Sequence, residues 1–139
     1  MIIDIKGNLH DKRVLSLISH SQYMPTKEKL NSLADRFESD EDIFAFACVC
    51  DNFVGGVIVL KRTARGEFEI KSIAADPTRR NKGIASKLVR YAADTLKCKS
   101  IVAETDDDAV GFYRKCGFEI VTLGEKYPDI VRYLCTLKP

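Results

Sequence analysis

Asp76-Pro77-Thr78-Arg79-Arg80-Asn81-Lys82-Gly83-Ile84-Ala85-Ser86-Lys87 carries the strongest fold signal in the chain. Proline cannot donate to a β-ladder, so Asp76-Pro77 ends a strand. A short basic loop follows, and small residues at Gly83, Ala85 and Ser86 open a helix. The first amides of a helix have no internal partners and lie at the positive end of its dipole. Small side chains let an anion approach those amides, and Arg79, Arg80, Lys82 and Lys87 add charge around it. The stretch lacks the Gly-Lys-Ser/Thr of a Walker loop and the Gly-x-Gly-x-x-Gly of a dinucleotide site. It reads as a phosphate site built from backbone donors. The alternative is a helix that starts with small residues only to pack against a strand.

Upstream, apolar runs at residues 43–50, 54–60 and 67–75 are separated by turn signals at Asp51-Asn52 and Arg65-Gly66. Such close spacing implies an antiparallel meander. Before it come a short strand within residues 1–6 and a helix from Asp11, with Val14, Leu15, Leu17 and Ile18 on one face. Pro25-Thr26 opens a second helix, with Leu30, Leu33, Ala34 and Phe37 inward. The acidic run from Glu38 to Asp42 reads as a solvated connector rather than a metal site. Downstream, Ile84, Leu88, Ala92 and Leu96 line one side of a helix over residues 83–96. A strand at 101–105, a helix at 106–115 and strands at 118–123 and 130–137 complete the chain. The expected architecture is one α/β domain over residues 1–139. Helices would cover both faces of a mixed, mostly antiparallel sheet.

Two segments share a family likeness. Arg80-Asn81-Lys82-Gly83-Ile84-Ala85 resembles the Arg/Gln-x-x-Gly-x-Gly/Ala signature of the GNAT superfamily of N-acetyltransferases. Asp106-Asp107-Asp108-Ala109-Val110-Gly111-Phe112-Tyr113, running on to Gly117-Phe118, resembles that family's Asn-x-x-Ala…Tyr…Gly-Phe helix. The segments stand in the family's order, separated by a helix and a strand. The resemblance implies acetyl-coenzyme A as the acyl donor. Its pyrophosphate would meet the main chain of Asn81, Lys82, Gly83, Ile84, Ala85 and Ser86, with Arg80 leading the loop. Its pantetheine arm would pair with the main chain of Ile73, Ala74 and Ala75. Asp106 stands where the family often carries an asparagine that reaches the cofactor, and aspartate shares only the acceptor.

Acetyl transfer to an amine needs a proton acceptor, donors for the oxyanion and a proton for the leaving thiolate. The resemblance puts Tyr113 at the family's tyrosine acid. Glu69 lies eleven positions before Arg80, the spacing of the glutamate base in the histone-type branch. Strand alternation puts Glu67, Glu69 and Lys71 on one face, opposite Phe68 and Ile70. Either carboxylate can point into the cleft, directly or through water; the alternative is a salt-bridged surface glutamate. Tyr127, Asp129 and Tyr133 are candidates for the acceptor pocket. His10 and His20 read as surface groups or helix-end partners. The implied enzyme attacks directly in a ternary complex, with a small-molecule or peptide amine as acceptor. A non-catalytic acyl-coenzyme A sensor is the rival reading.

Charge and cysteines bound the remaining classes. The formal net charge is +2, yet residues 61–99 hold eleven Lys/Arg against four Asp/Glu. The basic excess gathers around the Gly83 helix start, which fits a pyrophosphate and leaves nucleic acid and membrane unexpected as partners. The five cysteines follow no disulfide or zinc spacing and are expected as reduced, buried thiols of a cytoplasmic protein. No metal is expected. The first residues lack a signal-peptide pattern, and no window has the ~18 apolar residues of a span. Sheet edges at the C-terminal hairpin leave homodimer formation open, with a lean towards it.

Overall fold

Val57, Ile58, Val59 and Leu60 are all completely buried, because their strand is covered on both faces. The structure, a computed structural model, describes residues 1–22, 24–79 and 83–139. The elements are β1 (Ile2–Asp4), α1 (Lys12–Ser19), α2 (Lys27–Ser39), β2 (Ile43–Cys50), β3 (Phe53–Ala64) and β4 (Glu67–Ala75). A 3-10 turn (Pro77–Arg79) leads to α3 (Ile84–Thr95), β5 (Ser100–Thr105), α4 (Val110–Lys115), β6 (Glu119–Tyr127) and β7 (Ile130–Leu137). The strands form one sheet in the order β1-β2-β3-β4-β5-β7-β6. Among the described residues, only β4 and β5 run parallel.

Alternation in β3 divides the core. Ile58 and Leu60 pack towards Leu88, Val89 and Ala92 of α3. Val57 and Val59 pack towards Leu17 and Ile18 of α1 and Ala34 and Phe37 of α2. Caps fix where the two N-terminal helices start. Asp11 accepts from the Arg13 amide at 2.8 Å, and Thr26 from the Lys29 amide at 3.1 Å. Each such cap contributes about 1 kcal/mol. Among the described residues, no helix is long and apolar enough to cross a membrane.

Several local expectations are corrected. The acidic run is not merely solvated: Glu38 accepts from the amides of Gly7 (2.7 Å) and Leu9 (3.2 Å), and Asp40 pairs with Lys61 at 3.0 Å. The helix expected from Asp106 begins at Val110, because Asp106 Oδ1 takes the amides of Asp108 and Ala109 first. The strand expected to stop at Leu123 runs to Tyr127 through two register shifts. Of the cysteines only Cys98 and Cys135 are buried; Cys50 is exposed at the end of β2.

Two irregularities of β4 shape its free edge. Val59 pairs with Ser72 while Leu60 pairs with Ile70, so Lys71 is the extra residue of a β-bulge. A bulge shifts the phase of alternation. Phe68 and Ile70 face α3, and beyond the bulge Ile73 does so, while Ala74 turns towards the α1 and α2 side. The second irregularity is the short parallel seam. β4 meets β5 only at Glu67/Ser100, Phe68/Ile101 and Glu69/Val102. From Ile70 onward the two strands part.

Candidate active site between the parting strands

Where β4 and β5 separate, a cleft of about 800 Å³ opens through the sheet. Its walls are residues 70–75 of β4, residues 83–86 at the start of α3, residues 104–106 of the β5 exit, and Phe112 and Tyr113 of α4. A smaller depression of about 450 Å³ lies over α2, lined by Gln22, Lys29 and Arg36 among others, and contains none of the catalytic or cofactor candidates read from the sequence.

The β4 wall offers main chain. Asp76 donates to the Gly55 carbonyl at 2.8 Å. Pairing with β3 continues at Ala74/Val57 and Ser72/Val59. In an antiparallel ladder alternate residues bond to the same neighbour. The amides and carbonyls of Ile73 and Ala75 therefore point away from β3, towards the cleft. Ala74 lines it too, but its main chain faces β3.

The α3 wall offers the N-terminal turn of a helix. Among the described residues, Lys87 is the first of α3 whose amide reaches a carbonyl one turn back, that of Gly83 at 3.0 Å. The amides of Ile84, Ala85 and Ser86 precede it in the first turn, where a helix exposes its N-terminal donors. Gly83 holds φ at 70°, a left-handed conformation that favours glycine. α3 approaches the sheet closely because β3 carries Gly55 and Gly56 beneath Ile84. Ser86 Oγ lies 3.1 Å from Cys116 Sγ, joining the first turn of α3 to the end of α4. Arg80, Asn81 and Lys82 lie outside the described residues.

Tyr113 is buried, and its ring meets Phe112 and Phe118 edge-on at centroid distances of 5.1 and 5.2 Å. Burial pushes its phenol well above the usual tyrosine range, with smaller contributions from Cys135 and Cys116. It is therefore a protonated donor at neutral pH. Asp106 lines the cleft while one of its oxygens holds the turn into α4. Glu69 is not among the lining residues. Its carboxylate is held 2.6 Å from Lys71 Nζ, and Lys71 does line the cleft.

The other mouth contains groups that sequence did not single out for the site. His20 and Ser21, at the end of α1, reach the cleft, as do Glu104 and Arg132. Ser21 Oγ lies 2.7 Å from Ser72 Oγ, tying the α1 end to the bulged strand. Arg132 Nε lies 3.5 Å from Glu104 Oε1. Of the hairpin residues expected near the acceptor, Tyr127 is largely exposed and Tyr133 donates to Asp107 Oδ1 at 2.5 Å; neither, nor Asp129, lines the cleft. A polar residue on a separate strand, such as Arg132, has no local signal linking it to Glu104.

Comparison with known proteins agrees with this geometry. N-alpha-acetyltransferase RimI of Mycobacterium tuberculosis is 35% identical over 75 residues, 52% of this chain and 48% of that protein. The chain spans about half or less of the length of the curated relatives it matches. An aminoglycoside 6'-N-acetyltransferase solved with coenzyme A shares the fold, with a TM-score of 0.85 at 15% identity over 99% of this chain and 96% of that one. A candidate streptothricin acetyltransferase from Bacillus anthracis, solved with acetyl coenzyme A, aligns at 25% identity and a TM-score of 0.66 over 76% of this chain and 67% of that one. The model of the acetyltransferase (GNAT) family matches residues 12–118, and the chain belongs to that family.

Proposed function

We propose that this chain moves an acetyl group from acetyl-coenzyme A to a primary amine, by direct attack in a ternary complex. The carrying observation is the parting of β4 and β5 beside the N-terminal turn of α3. Main-chain groups of Ile73 and Ala75 suit the pantetheine arm, with Ala74 packed between them. The amides of Gly83, Ile84, Ala85 and Ser86 suit the pyrophosphate, with Arg80, Asn81 and Lys82 assigned to it from the sequence motif. Asp106 shapes the passage between these two parts.

The acceptor nitrogen bonds to the acetyl carbon while the thioester C–S bond breaks. A cleft-facing β4 amide is the proposed oxyanion donor. Tyr113 is the proposed acid that returns a proton to the leaving thiolate. Glu69, tethered through Lys71, is the proposed base that takes the ammonium proton by way of water. A cytoplasmic location is proposed with it, on the odd number and irregular spacing of its five cysteines. Pairing of two chains along the outer strand β6, with exposed Val121 and Leu123, is proposed with it.

Acetyl-coenzyme A should raise the melting temperature where ATP does not, and amines should then release free thiol. Absence of any stabilisation by coenzyme A species would overturn the proposal. Stabilisation without amine-dependent thiol release would favour the sensor.

A further inference from the structure

The bulge in β4 puts two consecutive side chains on one face of the sheet. Ser72 Oγ meets Ser21 Oγ at the end of α1, so Ser72 lies on the α1 side. Phe68 and Ile70 pack towards α3, which leaves Glu69 on the α1 side as well. Lys71 Nζ lies 2.6 Å from Glu69 Oε1, so Lys71 joins them there. In an unbroken strand residues 71 and 72 would face opposite ways. The result is an amine on the wall of the cleft with a carboxylate against it.

Its place along the strand matters equally. The first turn of α3 stands over Gly55 and Gly56, and Gly56 pairs with Ala75. On the acetyl-transfer reading, the acyl arm is anchored at that turn, pairs at Ala75 and Ile73, and runs back along β4. From Ala75 to Lys71 the strand covers about 13 Å. The thioester end is thereby directed to the bulge. Lys115 is the other lysine lining the cleft among the described residues. It ends α4 beside Cys116, whose Sγ touches Ser86, at the end assigned to the pyrophosphate. Lys61, opposite Glu69 on β3, is held by Asp40 at 3.0 Å.

We propose that Lys71 is itself an acetyl acceptor: with acetyl-coenzyme A bound and no amine in the cleft, the chain acetylates its own Lys71. This rests on the acetyl-transfer reading of the same cleft. Glu69 takes one proton from the ammonium and passes it to water. The freed Nζ bonds to the acetyl carbon while the thioester C–S bond breaks. A second proton leaves the nitrogen as the amide forms, and the departing thiolate takes it up by way of Tyr113. The products are acetylated Lys71, the free thiol of coenzyme A and one proton. The amide carries no charge, so the ion pair is lost and the Glu69 carboxylate is released to the cleft.

The test incubates the full chain with saturating acetyl-coenzyme A alone and follows its lysines by peptide mass spectrometry. Lys71 should gain acetyl at least about tenfold faster than Lys115, because a held neighbour outpaces free collision. The rate per chain should stay the same when the protein is diluted, since donor and acceptor share one molecule. Urea should abolish the preference. Glu69→Gln should slow Lys71 by about 10²-fold, the lower range of proton-transfer effects, and leave Lys115 labelling as it was. Lys71 modified no faster than Lys115, a rate that falls on dilution, or a preference that survives urea would each overturn the proposal. So would an unchanged Lys71 rate in Glu69→Gln. If added amines release thiol while Lys71 stays unmodified, this proposal falls and the acetyltransferase reading stands. If acetyl-coenzyme A does not raise the melting temperature, both fall.

Discussion

Gly56 of β3 and Ile84 of α3 touch so closely that a Cβ on Gly56 would lie 2.6 Å from Ile84 Cγ2. The same atom would come 3.2 Å from the Ala74 carbonyl oxygen and 3.2 Å from Leu88 Cδ1. Ile84 is β-branched and stiff, so it cannot swing aside cheaply. The first turn of α3 is therefore seated by a missing side chain on the neighbouring strand. Gly56→Ala should cost about 1–3 kcal/mol, as overpacking does. It should also weaken acetyl-coenzyme A by displacing the α3 start. Calorimetric melting with and without the cofactor measures both, and an unchanged cofactor-induced shift would separate the seat from the binding site.

Tyr113→Phe removes a hydroxyl without emptying the space its ring fills. The maximal rate should fall by about 10²-fold, the lower range of general-acid effects, with cofactor affinity held within about twofold. A rate equal to the parent would remove Tyr113 as the acid. The titration gives an independent signature. Burial raises this phenol above its ordinary 10.0, so the native state keeps the proton at a pH where the unfolded chain has released it. Stability from this group is intact below about pH 10 and falls as the pH climbs beyond it. Urea midpoints measured upward from pH 9 should drop less in Tyr113→Phe than in the parent.

Asp106 separates a structural from a cofactor-facing role. Its Oδ1 accepts from the amides of Asp108 and Ala109, both at 3.1 Å. Asp106→Asn keeps an acceptor oxygen and should melt near the parent. Asp106→Ala should lose about 1 kcal/mol, as a missing cap does, and should lower the rate by loosening the helix that holds Tyr113. Equal stability of the two variants would show that the turn does not depend on this oxygen.

The thiols should divide by burial. At pH 8 a thiol reagent should modify exposed Cys50 first and reach Cys98 and Cys135 only on unfolding. Desolvation pushes the Cys98 thiol from 9.0 up to about 11. Its contribution to stability is whole below pH 9 and is lost as the pH rises towards 11. Labelling of native protein followed by mass spectrometry of peptides gives the order. Early modification of Cys98 would contradict the packing around it.

Most of the fold was legible because its signals are local. Caps at Asp11 and Thr26, the closely spaced runs of β2 to β4 and the apolar line of α3 each depend on neighbours within a turn or a hairpin. The α3 wall of the cleft was legible for the same reason, since Gly83 to Ser86 is one contiguous segment. The opposite mouth was not. His20, Ser72, Glu104 and Arg132 reach it from four distant parts of the chain. The Lys71 bulge also defeats simple alternation, because one inserted residue reverses which side chains face α1. Glu69 was chosen by spacing along a strand, and spacing cannot report that its carboxylate is engaged by Lys71.

The three-residue seam between β4 and β5 has a consequence for how freely this sequence can drift. Along Ile73, Ala74 and Ala75 one edge of the strand is spent on β3 and the other faces the cleft through peptide groups. What the proposed pairing with the cofactor arm asks of these positions is the direction of a backbone, which most residues supply equally well. Proline at 73 or 75 is the exception, since it removes the amide itself. A site written in peptide bonds can keep its shape while its letters change.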